Sequence, residues 1–164
     1  MQWIIHTEEE CPTPEDDILD LIASALGADW TTKSSHQLRL GNEQYKNLSL
    51  VAFLDGKLVG TVRLWPIQAG NAGDALLLGP LAIHPPLQGK GLGRAMLYKV
   101  IELAKAAGHG AIVLVGDAPY YERVGFSSNP TWFMRMPGRY DQNRLLGYEL
   151  QEGYLTGKDG VITR

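Results

Sequence analysis

Residues 81–94, which read LAIHPPLQGKGLGR, decide the fold class of this chain. They join an apolar run at residues 75–83 to a helical pattern that begins near Leu92. A strand, a glycine-rich turn and a helix N-terminus in this order form an anion site. The first N–H groups of the helix are unpaired, and the helix dipole favours negative charge. We therefore expect a phosphate or pyrophosphate to bind here.

Two other glycine-rich fingerprints do not match this turn. It lacks the GKS or GKT ending of a Walker A loop, whose hydroxyl must reach a magnesium ion, and its order differs from the GxGxxG of dinucleotide folds. A tight strand-to-helix turn without any ligand would also explain the glycine spacing. A second motif is therefore needed before a function is assigned.

Composition limits the classes of protein that the chain can belong to. With 164 residues, 45% of them apolar, we expect a single domain over residues 1–164, with its core at about 1–155 and a flexible C-terminal tail. The net charge of −3 argues against a nucleic-acid or membrane-surface binder. Without an apolar run of about 18 residues or a signal-peptide pattern, a cytoplasmic protein is expected. Cys11 and the four histidines form no ligand pattern, so we expect no metal.

Turn and helix signals organise the first half of the chain. Residues 2–6 predict a first strand, and residues 13–16 (TPED) predict the start of a helix that ends at Gly27. Residues 48–54 and 57–67 predict two strands joined by an Asp-Gly hairpin. The polar segment between this helix and the hairpin gives no clear pattern.

The apolar run at residues 75–83 predicts a strand that is covered on both faces. Gly79 and Pro80 interrupt it, and because proline cannot donate to a ladder, they predict a bulge that leaves backbone groups free for a ligand. A buried strand with a structural kink is the alternative. A helix from Leu92 to Gly108 and a strand at residues 111–115 follow, which predicts a parallel βαβ unit. The glycine turn then lies at the carboxyl end of a strand, where open sheets bind ligands.

The second half of the chain carries further strand signals and a resemblance. Gln88, Gly91 and Gly93 resemble the Gln/Arg-x-x-Gly-x-Gly/Ala signature of the GNAT superfamily of N-acetyltransferases. YYERVGF at residues 120–126 is similar to a second element of that family. Strands are predicted at residues 132–136 and 144–150, and PGRYDQNRLLGYEL resembles the tail of one GNAT subgroup with a Pro-Gly turn and an Arg-Leu-Leu…Glu-Leu strand.

The resemblance implies an α/β (α+β) GNAT-type acyl-CoA N-acyltransferase fold: a mixed, twisted sheet with a bulged central strand and flanking helices. It also implies acetyl-CoA as the cosubstrate. The polar segment 27–47, which carries Trp30, Arg39 and Tyr45, lies where the substrate-side region of that family usually falls, and a solvated loop explains its composition equally well. The strand segment that would hold the pantetheine arm comprises Leu81, Ala82 and Ile83. The turn that would hold the phosphates comprises Gln88, Gly89, Lys90, Gly91, Leu92, Gly93 and Arg94.

Tyr121 matches the family tyrosine that protonates the departing coenzyme A sulfur, and Tyr120 is then expected to pack. A phenol with a pKa of about 10 is protonated at neutral pH and can donate to a thiolate whose parent thiol has a pKa of about 8.5. The family's asparagine upstream of the tyrosine is missing, and Asp117 is the polar side chain near that place. Asp74, His84, a water relay and an already neutral amine all stay open as the route for the amine proton.

The expected function is an N-acetyltransferase that moves the acetyl group of acetyl-CoA directly to a primary amine of a small molecule, peptide or protein. One alternative is an acyltransferase that uses another acyl-CoA, which the pocket volume beside Ile83 and Trp65 would decide. A second is a CoA-binding sensor or partner module without catalysis. The acceptor is not specified by the sequence. We expect no nucleic-acid or membrane partner, and a homodimer stays open.

Overall fold

A computed structural model describes residues 2–164, and within that range the chain forms eight strands and three α-helices. The strands are β1 Ile4–Thr7, β2 Leu50–Leu54, β3 Lys57–Ala69, β4 Asp74–Ile83, β5 Ala111–Val115, β6 Met134–Arg135, β7 Leu145–Glu149 and β8 Gly160–Thr163. The helices are α1 Glu15–Leu26, α2 Leu92–Ala106 and α3 Ala118–Glu122.

The strands form one mixed sheet in the order β1-β2-β3-β4-β5-β7. β4 and β5 pair in parallel and the other neighbours along this path pair antiparallel, which confirms the predicted fold class and the predicted βαβ unit. β8 pairs with the end of β3 and with β6. Among the described residues, none of the helices has the length and apolar character needed to cross a membrane.

The hairpin between β2 and β3 has the predicted two-residue turn. Asp55 and Gly56 have φ angles of 51° and 77°, as a turn that continues the right-handed twist of its strands requires. The turn places β3, the longest strand, beside β2, and β4 pairs with the other edge of β3.

β4 contains the predicted bulge. Leu78 pairs with Leu64 and Leu81 pairs with Val62, so Gly79 and Pro80 together face Arg63. The parallel pairing with β5 ends at Leu77 and Val113, although β5 continues to Val115. The two strands therefore separate where the bulge begins.

Helices cover both faces of the sheet near the bulge. The buried side of α2 packs on one face, through Leu92, Met96, Leu97, Val100 and Ala104. On the other face, Ile18, Leu21 and Ile22 of α1 pack against Val51 and Ala82. β4 is thus buried on both sides, as its nearly continuous apolar sequence predicts.

The C-terminal tail differs from its prediction. Residues 160–163 form strand β8 instead of a flexible tail, and Ile162 and Leu155 are fully buried. The glycine-rich, charged composition conceals these contacts, because single apolar side chains fill a core built by distant strands. The predicted strand at residues 132–136 is reduced to β6, since Trp132 and Phe133 lie exposed in the turn before it.

Arg63, the residue opposite the bulge, is the centre of a buried ion network that the sequence did not predict. Its Nε donates to Glu8 Oε2 at 3.1 Å, and its Nη2 donates to Glu15 Oε1 at 2.6 Å. Burial lowers the pKa of Arg63, but the hydrogen bonds to Glu15 and Glu8 more than offset this and raise its pKa above the ordinary value. Glu8 follows β1 and Glu15 begins α1, so Arg63 fastens both elements to β3.

We expect Arg63→Met to destabilise the fold by about 3–5 kcal/mol, because it leaves the carboxylate of Glu8 buried without a counter-charge. Urea denaturation followed by circular dichroism measures this change. Arg135→Met, at an exposed site on β6, is the matched control and should change the free energy of unfolding by less than about 0.5 kcal/mol. Equal losses in the two variants would show that Arg63 acts only as a long surface side chain.

Candidate active site

A cleft of about 680 Å³ opens where β4 and β5 separate. Its walls come from the bulged half of β4, the end of β5, the start of α2, the helix α3 and the segment that follows α1. The bulge, the glycine turn and Tyr121 therefore lie around one cavity.

The glycine turn presents free backbone N–H groups. Ala95 donates to the Gly91 carbonyl at 3.0 Å as the first bond of α2, so the N–H groups of Leu92, Gly93 and Arg94 have no partner within the helix. Gly91 caps the helix with a φ angle of 95°, a conformation that glycine adopts without strain. The Gln88 side chain donates to the Ile83 carbonyl at 3.1 Å and ties the turn to the end of β4.

Most residues predicted to bind the coenzyme line this cleft. They are Leu81, Ile83, Gln88, Gly89, Gly91, Leu92, Gly93 and Arg94. Two others lie elsewhere: the side chain of Ala82 packs with α1 on the opposite face of β4, and Lys90 is exposed on the turn. A contribution of Ala82 would therefore have to come from its backbone.

Tyr121 lies on α3 with its ring over Gly116, where an added Cβ would come within 2.5 Å of the ring. The ring packs edge-on against Phe126, with 5.9 Å between the centroids. Burial raises the pKa of Tyr121, and the neighbouring Tyr120 and Asp117 raise it further, while Arg144 lowers it. The phenol is therefore protonated throughout the neutral range.

The packing member of the tyrosine pair is Tyr121 and not, as predicted, Tyr120. Tyr120 is the more exposed of the two, and its hydroxyl occupies the space that a Cβ on Gly93 would need. Tyr120 thus lies over the start of α2, whereas Tyr121 packs against the main core. Both tyrosines line the cleft.

The two side chains considered as bases lie outside the cleft. Asp74 accepts a hydrogen bond from Gln68, and His84 is 3.2 Å from the Lys57 ammonium. Among the described residues that line the cleft, Asp117 alone carries a carboxylate, whereas the cations are Lys33, Arg39, Arg94, Arg123 and Arg144. The cavity is therefore suited to anionic ligands.

Four residues that line the cleft belong to the polar segment after α1, for which the sequence left a substrate-side region and a solvated loop open: Trp30, Lys33, Ser35 and Arg39. They belong to two short 3-10 turns, Trp30–Thr32 and Ser34–Leu38, and to the residues that flank them. Turns of this length have no apolar period, so the one available signal was the presence of a tryptophan and an arginine in a polar segment.

Comparison with known proteins shows the family to which this chain is similar. Residues 15–126 match the model of the Acetyltransferase (GNAT) family. The chain is 27% identical over 157 residues to a protein of Escherichia coli K12 named "Uncharacterized N-acetyltransferase YhbS", covering 93% of this chain and 92% of that protein. It is 35% identical over 82 residues to the N-acetyltransferase YjhQ of the same strain, covering 48% of this chain and 45% of that protein.

Solved structures show the same fold. The crystal structure of YhbS from Escherichia coli in complex with CoA matches with a TM-score of 0.80 and 26% identity, over 99% of this chain and 89% of that one. A GNAT acetyltransferase from Brucella melitensis in complex with acetyl-CoA matches with a TM-score of 0.65 and 22% identity, over 99% and 96% of the two chains.

The raised pKa of Tyr121 predicts how stability changes in alkali. An unfolded tyrosine ionises near its ordinary value of 10.0, whereas the folded Tyr121 keeps its proton to higher pH. Its contribution is therefore complete below about pH 10 and is lost above it, at about 1.4 kcal/mol per pH unit. Urea denaturation from about pH 9 to 11 should show a shallower decline in Tyr121→Phe than in the wild type. Tyr98→Phe, at an exposed tyrosine, should follow the wild type, and a parallel decline in all three proteins would contradict the buried phenol.

Proposed function

The chain belongs to the GNAT family of acetyltransferases and is an acetyl-CoA-dependent N-acetyltransferase, and we propose that it transfers the acetyl group directly to a primary amine of a small molecule or peptide. The similarity to YhbS, which was solved with CoA, supports acetyl-CoA as the cosubstrate. The observation that carries the proposal is the junction of three features in one cleft: the separated strands, the free N–H groups of α2 and Tyr121.

The coenzyme is proposed to bind along β4 and the glycine turn. The phosphates would accept hydrogen bonds from the N–H groups of the turn that runs from Gly89 through Lys90, Gly91, Leu92 and Gly93 to Arg94. The N–H of Gln88 already donates to the Pro85 carbonyl at 3.1 Å, so Gln88 would contribute through its side chain, which holds the turn against β4. The dipole of α2 and the guanidinium of Arg94 favour their charge. The pantetheine arm would bind the backbone of Leu81, Ala82 and Ile83 on the side of β4 that β5 leaves unpaired.

The reaction needs one bond formed and one broken. The amine nitrogen attacks the carbonyl carbon of the thioester, the carbon–sulfur bond breaks, and the thiolate takes a proton from the Tyr121 hydroxyl. The nitrogen releases a proton to water, and no side chain is assigned as the base. Positioning of the two substrates and hydrogen bonds to the thioester oxygen would supply most of the rate gain.

The environment of Tyr121 has two opposing effects on this step. Burial keeps the phenol protonated, but it also makes the phenolate that remains after donation less stable. Arg144, whose Nε donates to the Gly116 carbonyl at 3.0 Å, is the cation that lowers the pKa of Tyr121. We propose that Arg144 stabilises the phenolate until solvent returns the proton.

We also propose that the chain forms a single domain. The core clusters on the two faces of the sheet share its strands, and the last strand of the chain pairs with β3.

The acyl group would lie beside Ile83, which lines the cleft. Trp65 does not line the cleft, and its Nε1 donates to the Gly79 carbonyl at 2.6 Å. Trp65 would therefore act on the acyl group only through the position of the bulge.

Saturating acetyl-CoA should raise the melting temperature of the wild type, since a ligand at one hundred times its dissociation constant adds about 2.7 kcal/mol of stability. Gly91→Glu should abolish the rise, because it places a carboxylate where the phosphates bind. The matched control is Gly153→Glu, at another glycine with a positive φ angle and open space around its Cβ position. A folded wild type without any rise would contradict the coenzyme site.

Tyr121→Phe should lower the turnover number by about 10²–10⁴-fold, the usual contribution of a general acid, with little change in KM for acetyl-CoA. Release of free CoA thiol with any amine accepted by the wild type measures the effect. Tyr120→Phe removes the neighbouring hydroxyl and should retain most of the activity. A larger loss in Tyr120→Phe than in Tyr121→Phe would move the acid role to Tyr120.

A further inference from the structure

The guanidinium of Arg39 forms part of the cleft wall beside the bulge. A Cβ added to Gly79 would lie 3.0 Å from Arg39 Nη2, so the guanidinium lies next to Gly79. Nη2 donates to Ser35 Oγ at 3.1 Å, while Nε is buried and has no hydrogen-bond partner among the described residues. Apart from the bond to Ser35, the donors of this guanidinium are therefore not satisfied by any acceptor of the described residues.

Arg39 also lacks a counter-charge, in contrast to Arg63. Arg63 is bound by the carboxylates of Glu8 and Glu15, whereas no carboxylate of the described residues forms an ion pair with Arg39. Burial alone lowers the pKa of Arg39 to about 10, so the group still carries its charge at neutral pH. A partly dehydrated planar cation at a cleft wall is suited to a carboxylate, which it binds with two parallel hydrogen bonds.

The position of Arg39 separates it from the proposed phosphate site. Gly79 precedes Ile83 by four residues along β4, which is about 13 Å at the usual rise of a strand. The glycine turn begins beyond Ile83, so the phosphates and Arg39 would lie at opposite ends of the bulged segment. The wall around Arg39 comes from the end of α1 and the two 3-10 turns, where Leu26 and Trp30 add apolar surface and Lys33 adds a second cation.

We propose, on the basis of the proposed function, that the acceptor amine also carries a carboxylate, and that the guanidinium of Arg39 binds this carboxylate from the cleft wall. The thioester would lie where the strands separate at the bulge, and Arg39 lies beside the bulge. A carboxylate on Arg39 and a nitrogen at the thioester would then be separated by only a few bonds. The acceptor class is therefore a free amino acid, with its side chain against Trp30 and Leu26. In this arrangement Arg39 is a specificity-determining residue and takes no part in proton transfer.

The test compares free amino acids with their carboxamides, which keep the amine and lose the charge. Release of CoA thiol from acetyl-CoA is measured with each pair. For the wild type, we expect kcat/KM of the best amino acid to exceed that of its amide by about tenfold or more, as for a charge-assisted hydrogen bond. Arg39→Gln should remove this preference by raising KM for the amino acid while the value for the amide stays unchanged. Arg39→Lys should keep an intermediate preference.

Arg135→Gln, at an exposed arginine outside the cleft, is the control and should keep the wild-type ratio. Melting temperatures of all variants show whether each is folded. If Arg39→Gln is unfolded, the acid-to-amide ratio of kcat/KM in the wild type and in Arg39→Lys decides between the outcomes. Dipeptides with an acidic second residue form a separate arm, and a preference for them over free amino acids would overturn the free amino acid as acceptor.

Three other results would overturn the inference. They are equal rates with acids and amides, an equal loss of kcat on both in Arg39→Gln, and no transfer to any carboxylate. Stabilisation by acetyl-CoA is measured in parallel. If it is present, the coenzyme site stands and only the acceptor class is wrong; if it is absent, the proposed function itself fails.

Discussion

The site depends on the bulge in β4, where two residues, Gly79 and Pro80, lie opposite the single residue Arg63 of β3. Side chains alternate between the two faces of a strand, so an extra residue exchanges the faces of everything that follows it. Before the bulge, Leu76 and Leu78 face α2. After it, Leu81 and Ile83 face the same side, and Ala82 packs against α1. The bulge therefore keeps apolar side chains along the α2 face while it releases β4 from β5.

Two arginines lie near the bulge, and only one of them has a carboxylate partner among the described residues. Arg63 is neutralised within the chain, where its carboxylate partners Glu8 and Glu15 hold β1 and α1 against the sheet. Arg39 is left without such a partner and faces the cleft. A charge that is compensated internally contributes to the fold, whereas a charge that is not compensated remains available for a ligand.

Local signals allowed much of the fold and part of the site to be predicted from the sequence. The hairpin at Asp55 and Gly56, the bulge and the glycine turn each depend on residues within a few positions of one another. β8 and the Arg63 network could not be predicted in this way. Arg63 bonds to side chains 48 and 55 positions away, and β8 pairs with a strand that ends at Ala69. Such contacts exist only once the sheet has formed, and no periodicity in the sequence reports them.

The distribution of charge in the cleft suggests how two substrates are oriented without a complex catalytic apparatus. Free N–H groups at the start of α2 favour anions at one end, and Arg39 favours an anion at the other. The bulge lies between them, with Tyr121 in the same cavity. Because both anchors are part of the folded chain, little reorganisation is needed when the substrates bind. A reaction between a good acyl donor and an amine then requires mainly that both be held at the point where the strands separate.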